Sequence, residues 1–456
     1  MRYVAVEWSN FGAIAIGSKA SGAGGAKEIR GDRAPESETA PLVRLCSPAM
    51  ACLALSASAL IVIGAAGAAA AAASLPTDEH GDYNGIDLIE WIRSHPDGDV
   101  HESIRIGRER PGDPSSINGL FVRADGKPIE KGEMIAQVPW DHIISPGNKY
   151  RSYKFTSCKA IYNLAKELRL GEASSKAPYV QYLLTQSSGA MPGEFSKAGK
   201  KFLTKMLGGD DLPPYEETWK DDYERMWLGQ CGGDEGDEVE RFAYWLTSAR
   251  DEDTLMVPIY DMANHSNDPK KLNTLSYKPK EAGDVFKFVA SMRIEPGGQV
   301  YNSYNRCGSC ADVENGECET FSFYKTPDLF VKFGFVEDYP QSWEFDRTDD
   351  QIVDEEFEFC LEKDDETGEL VVEWEEDAMP DDEDIAWVKH HINRLGELEK
   401  DKARLEENLV AKSDGDADAK RMTRKEWDAI WTYHRALTTA LNAALQSSDA
   451  SRSDEL

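Results

Sequence analysis

The sequence predicts an α+β chain, and three observations carry that prediction. Short apolar runs punctuated by turn residues occupy 83–144 and return at 255–304. Between them, Ile161, Leu164, Ala165 and Leu168 recur at helical spacing, and Tyr179, Leu183, Phe195, Phe202 and Met206 continue the pattern. Beyond Trp343 lie one hairpin pattern and two helical ones. Apolar residues at 41% and aromatics at 10% exclude wholesale disorder. Acidic residues outnumber basic ones 83 to 51, a net charge of -32, which excludes the basic footprint of a nucleic-acid binder.

Residues 1–77 read as a targeting or signal-anchor segment. No charge falls between 45 and 77, and the apolar run at 50–73 is long enough to cross a bilayer. Ala71-Ala72-Ala73 before Ser74 suits signal-peptidase cleavage. The chain ends Ser453-Asp454-Glu455-Leu456, similar to an endoplasmic-reticulum retrieval signal. These features predict the endoplasmic-reticulum lumen or secretory pathway, with the cytosol as the alternative if the start is misassigned.

Residues 83–144 open with a short helix around Ile86, Leu88, Ile89 and Trp91. Gly119–Val122 and Glu133–Pro139 then read as strands of a hairpin about Asp125-Gly126. Residues 145–247 form a helical insertion, interrupted at Leu212-Pro213-Pro214, with a further helix around Phe242 and Trp245. Residues 248–343 return to strands at Leu255–Pro258, Val285–Met292 and Val300–Tyr304. In 344–456, Phe357, Phe359 and Leu361 face Leu370, Val372 and Trp374 across Thr367-Gly368, a hairpin. The helices carry Ile385–Leu398 and, behind a Thr423–Glu426 capping box, Ile430–Leu437. His390-His391 reads as a solvated pair.

The most specific string is Pro258-Ile259-Tyr260-Asp261-Met262-Ala263-Asn264-His265-Ser266. Gly297-Gly298-Gln299-Val300-Tyr301-Asn302-Ser303-Tyr304 follows, then Phe333-Gly334-Phe335-Val336. With Asn118-Gly119-Leu120-Phe121 and Lys131–Pro139 ahead of them, these strings resemble the SET-domain methyltransferases. The branch they resemble has a helical insertion and includes the Rubisco lysine and actin histidine methyltransferases.

The resemblance covers about residues 85–345 and implies a SET fold of several small β-sheets. It implies S-adenosylmethionine (SAM) as cofactor, and lysine, less readily histidine, of a non-histone protein as methyl acceptor. Tyr304 would be the catalytic tyrosine. Asn264, His265, Arg250 and the strip Ser116, Ile117 and Asn118 would hold the cofactor, and Asp261, Phe333 and Phe335 would line the substrate channel. Ile117 and Asn305 stand where the family has glycine, which motivates the alternative of a catalytically silent SET module that binds a protein. The reading has no metal, no nucleic-acid partner and a monomeric chain, and the acid excess suits a substrate with a basic segment.

Cys307, Cys310 and Cys318 read first as a structural disulfide or free thiols. Zinc with a distant ligand such as Cys360, and redox catalysis, come behind. Asn264-His265-Ser266 is also the one N-glycosylation sequon of the sequence. In a lumenal enzyme it would have to be buried by folding before modification.

Overall fold

The computed structural model describes residues 77, 83–113, 116, 118–147, 153–186, 191–220, 222–279, 283–304, 324–349, 352–374, 380–412 and 420–454. The chain divides into two units, 1–61 and 62–456, and every described residue lies in the second. The apolar segment 50–73, Ile117, Asn305, Cys307, Cys310, Cys318 and the last two residues lie outside the described set. Among the described residues, no helix is long and apolar enough to cross a membrane.

The first helix, α1 (Ile86–Arg93), buries Leu88, Ile89 and Ile92. Strands β1 (Asp99–Val100), β4 (Met134–Pro139), β7 (Val285–Ala290) and β6 (Thr274–Tyr277) form a sheet in the order β1-β4-β7-β6. A separate pair joins β2 (Ile104–Arg108) to β3 (Asn118–Val122), with Ile106 opposite Leu120. The expected hairpin between 119–122 and 133–139 therefore does not form. The free edge of β3 is taken by the Gly297–Val300 segment: Val122 donates to Gly298 O (2.8 Å) and Val300 to Leu120 O (2.9 Å). With both edges occupied, β3 cannot also pair with β4.

The expected strand at 255–258 reduces to a single bridge between Met256 and Ile144. Pro258 has no N–H to extend it, and Ile259 turns the chain at φ 71°.

The helical stretch supplies α2 (Tyr153–Leu170), α3 (Ala177–Leu184), α4 (Lys197–Leu207), α5 (Glu216–Trp219), a π-helix (Tyr223–Cys231) and α6 (Glu238–Arg250). A disulfide between Cys158 and Cys231, not anticipated from the sequence, ties α2 to the π-helix. The elements α2, α3 and α6 join a core that runs from Leu88 to Val300. Helix α4 joins a second core instead, with Phe202 stacked on Trp427 at 5.5 Å.

That second core closes the C-terminal half. Helix α7 (Thr326–Phe333) delivers Phe330, stacked on Tyr433 at 4.4 Å. Strands β9 (Gln341–Asp349), β10 (Ile352–Lys363) and β11 (Leu370–Trp374) form an antiparallel sheet about the expected turn. The sequence had shown only two of the three strands. Its aromatic face pairs Phe357 with Phe345 and Phe359 with Trp343. Helices α8 (Asp382–Lys400), α9 (Lys402–Leu409) and α10 (Arg424–Asp454) complete it.

The capping box is present: Glu426 N–H donates to Thr423 Oγ1 (3.1 Å) and Thr423 N–H to Glu426 Oε2 (2.8 Å). The same carboxylate accepts the N–H and hydroxyl of Ser196, the N-cap of α4, which links the two helices. His390 is exposed as expected, but His391 is buried, where burial pushes its pKa down to about 4. Cys360, named above as a distant zinc ligand, is instead in a disulfide. A disulfide sulfur is not a thiolate and cannot serve that role.

Candidate functional site

Two very short strands hold the centre of the site. β5 (Asn264–His265) runs parallel to β8 (Tyr301–Asn302), with Asn264 opposite Tyr301 and His265 opposite Asn302. A two-residue ladder gives little stability alone, so side chains reinforce it. Buried Asn273 accepts from Tyr301 N–H (2.8 Å) and donates to Gln299 O (2.9 Å). Thr274 Oγ1 donates to Tyr301 O (2.7 Å). Asn302 donates to the Tyr260 hydroxyl (2.6 Å), which donates to Glu252 (2.9 Å).

The strand ends at Asn302, so the pleat of β8 does not aim the Tyr304 ring. Two contacts do: its N–H donates to His265 Nδ1 (2.9 Å) and its hydroxyl to Ala263 O (2.9 Å). Because Nδ1 accepts, the neutral imidazole carries its proton on Nε2, a buried atom with no partner. Burial pushes the His265 pKa down to about 3, so it stays neutral across the working range. Burial likewise raises Tyr304 to about 12, which keeps the phenol protonated. The rings of Phe333 and Phe335 lie 4.8 and 6.1 Å from that of Tyr304.

Asn264 Nδ2 donates to Asn118 O (2.9 Å), joining β5 to β3. Gly119 makes this approach feasible: a Cβ there would lie 2.6 Å from Asn264 Nδ2. Ser116 is buried, accepting from Arg108 at its carbonyl (2.9 Å) and from Arg110 N–H at its hydroxyl (2.8 Å).

Arg250, at the end of α6, donates to Gln186 Oε1 (2.6 Å), Asp261 O (3.0 Å) and the Tyr182 hydroxyl (3.2 Å). The Asp261 carboxylate sits 3.6 Å from it, accepts from Tyr179 (2.9 Å), and leaves Oδ1 without a partner. Burial outweighs the nearby guanidinium and raises Asp261 to about 6. Immediately before this group, buried Ile259 sits at φ 71°, ψ -51°. A β-branched residue there is strained, and such strain concentrates at functional sites.

A cleft of about 620 Å³ collects Asn118, Gly119, Arg250, Asn264, Tyr304 and Phe335. That is within the range of small-molecule sites. A narrow pocket of about 40 Å³ adjoins it, with Glu252, Tyr260, Asn302 and Lys332 in its wall. Arg250, Asp261, Tyr304 and Phe333 line both. Of the site residues expected from the sequence, Asn118, Arg250, Asp261, Asn264, Tyr304, Phe333 and Phe335 line this cleft; Ser116 and His265 do not, but bond to Arg108 and Tyr304, which do, and Ile117 falls outside the described residues. Sequence reading missed Tyr179, Tyr182, Gln186 and Asn273. Their signal is long-range: all four work through partners at least 26 positions away. Among the described residues, no group of acids, histidines and cysteines is arranged to hold a metal.

Small sheets packed around a parallel β5–β8 pair, with a helical insertion between β4 and β5, define an α+β fold of the SET type. Residues 119–305 match the family model described as SET domain. Among solved structures, the chain is similar to the SET domain of LSMT bound to lysine and AdoHcy. That likeness has 11% identity over 80% of this chain and 92% of that one, with a TM-score of 0.42. No curated protein matches. The fold assignment rests on the domain match and the sheet topology.

Proposed function

We propose that this protein is a SAM-dependent protein methyltransferase acting on lysine side chains. The observation that carries the reading is Tyr304, fixed at both its N–H and its hydroxyl and lining both the cleft and the narrow pocket. The cleft fits SAM in size and in chemistry. Asn264 offers an uncharged amide, Gly119 lets backbone approach, and half-buried Arg250 lines the cleft as a cation for a carboxylate.

When bound, SAM supplies a methyl already activated on a sulfonium. What remains for the protein is positioning and exclusion of water. Phe333 and Phe335 wall off solvent around the reacting centre. The Tyr304 hydroxyl spends its proton on Ala263 O, so its lone pairs face the incoming amine as acceptors. A desolvated pocket favours loss of the ammonium proton, which makes the lysine nucleophilic.

Labelled methyl transfer to lysate proteins tests the activity. Tyr304→Phe should lower it by roughly a hundredfold or more. Failure of the wild-type protein to bind SAM in calorimetric titration would favour the silent protein-binding module.

We also propose an oxidising compartment, supported by the Cys158–Cys231 disulfide and by the disulfide at Cys360. In the folded chain the Asn264 amide nitrogen is spent on Asn118 O, which disfavours a glycan there. A glycosidase-sensitive mass at Asn264 in protein from native cells would contradict either that compartment or the activity. The acidic block from Glu344 to Asp384 holds 21 acids against Arg347 and Lys363, and suits a substrate with a basic segment.

A further inference from the structure

The narrow pocket beside Tyr304 carries charge of both signs in its wall: Asp251, Glu252, Asp261, Arg250 and Lys332. Four of the five are committed. Glu252 accepts from Tyr260 (2.9 Å) and pairs with Lys278 (2.8 Å). Asp251 accepts from Thr254 N–H (2.8 Å). Arg250 is half-buried against Gln186 and Tyr182 and faces the buried Asp261 carboxylate, each offsetting the other's charge. Lys332 differs. Its ammonium donates to the neutral Tyr324 hydroxyl (2.9 Å) and lies 5.8 Å from the centre of the Phe333 ring. It forms no ion pair among the described residues. Asp328, one turn back on α7, is occupied in capping that helix at Lys325 N–H (3.0 Å).

Lys332 is therefore the cation of this wall that has no ion pair among the described residues, in a chain whose net charge is -32. We propose that Lys332 is a specificity-determining residue that reads a carboxylate on the substrate next to the target lysine. The inference rests on the methyltransferase reading, with the narrow pocket as the entrance for the lysine side chain. The pocket has room for roughly one or two waters. It admits a thin side chain end-on, while the flanking residues stay outside at the rim. An ammonium with no carboxylate partner among the described residues repels a basic flank there and attracts an acidic one. The basic segment that the distant acidic block suits would then lie elsewhere on the same substrate.

Three fluorescein-labelled peptides with one central lysine test this, flanked on both sides by Asp, Gln or Arg. Affinity is measured by anisotropy with SAM present, and methyl transfer to each peptide is followed separately. The expected order for wild type is Asp over Gln over Arg, with Asp and Gln about tenfold apart at low salt and converging as salt rises. Lys332→Gln should erase the Asp preference, and Lys332→Glu should invert the order, both with SAM affinity retained. Equal affinities in the wild type, no binding of any peptide, or an Asp preference that survives in Lys332→Gln would each overturn the proposal. The two readings fail separately: an Asp preference that depends on Lys332 without any methyl transfer supports the rim assignment and counts against the activity. Transfer that ignores the flank does the reverse.

Discussion

The stretch around Tyr304 and the C-terminal half are built on opposite principles. At the site, strands are two residues long, Ile259 is strained, and buried atoms of Asp261, His265 and Gln299 have no hydrogen-bond partner among the described residues. In the C-terminal half, strands run for five to twelve residues and helices up to 31, around stacked aromatic rings. One region holds polar groups open at a cost in stability, and the other supplies longer, regular elements around an aromatic core that offset it. The two meet at α7. Its Phe330 sits in the aromatic core, while its Phe333 lines the cleft.

This contrast predicts that lesions in the two regions separate stability from binding. Phe330→Ala removes a ring that is fully buried against Tyr433. It should cost about 3–5 kcal/mol, read as a lowered denaturation midpoint. SAM affinity of the fraction that stays folded should change little, and a proportionate loss of affinity would mean that the regions are not separable.

Glu337, just beyond the Phe333–Val336 segment, sharpens the boundary between them. It is buried, accepts from Thr326 (2.6 Å), has no partner on Oε2, and faces Asp328 and Asp338. Burial raises its pKa from 4.5 to about 7. A raised carboxylate contributes stability that is complete below pH 4.5 and is lost as pH rises through about 7. Glu337→Gln should therefore stabilise the protein at pH 8 relative to wild type, by an amount on the order of 3 kcal/mol, and flatten stability against pH between 5 and 8. Melting curves of both proteins across that range check it, and an unchanged slope would contradict it.

Gly119→Ala should act in the opposite sense to Phe330→Ala. The added methyl displaces Asn264 from Asn118 O. Titration calorimetry should show SAM affinity falling roughly tenfold, or about 1.4 kcal/mol. The melting temperature should move little, because the strip carries function more than packing.

How much of this was legible in the sequence differs by region for a physical reason. The hairpin about Thr367-Gly368, the capping box at Thr423 and the helices of the insertion came through, because their signals are local in spacing. The β2–β3 pairing did not, because strand partners are chosen by whichever segment reaches a free edge. Gly297–Val300 reached β3 from far along the chain. The third strand, β9, was hidden where charged residues interrupt the aromatic alternation of Trp343 and Phe345. At the site, Asn264, His265 and Tyr304 stood out as types and as strings, whereas Tyr179, Tyr182 and Gln186 looked like ordinary helix residues.

The sequence by itself determined the α+β class, the order of its segments and the residue types at the centre of the cleft, because periodicity, turn chemistry and short strings are written locally. Only the tertiary structure decided which strands pair, that Cys158 meets Cys231, that α4 belongs to the C-terminal core, and that Lys332 lines the narrow pocket without an ion pair among the described residues. Each of those depends on contacts between distant segments, and such contacts leave no local trace in the chain.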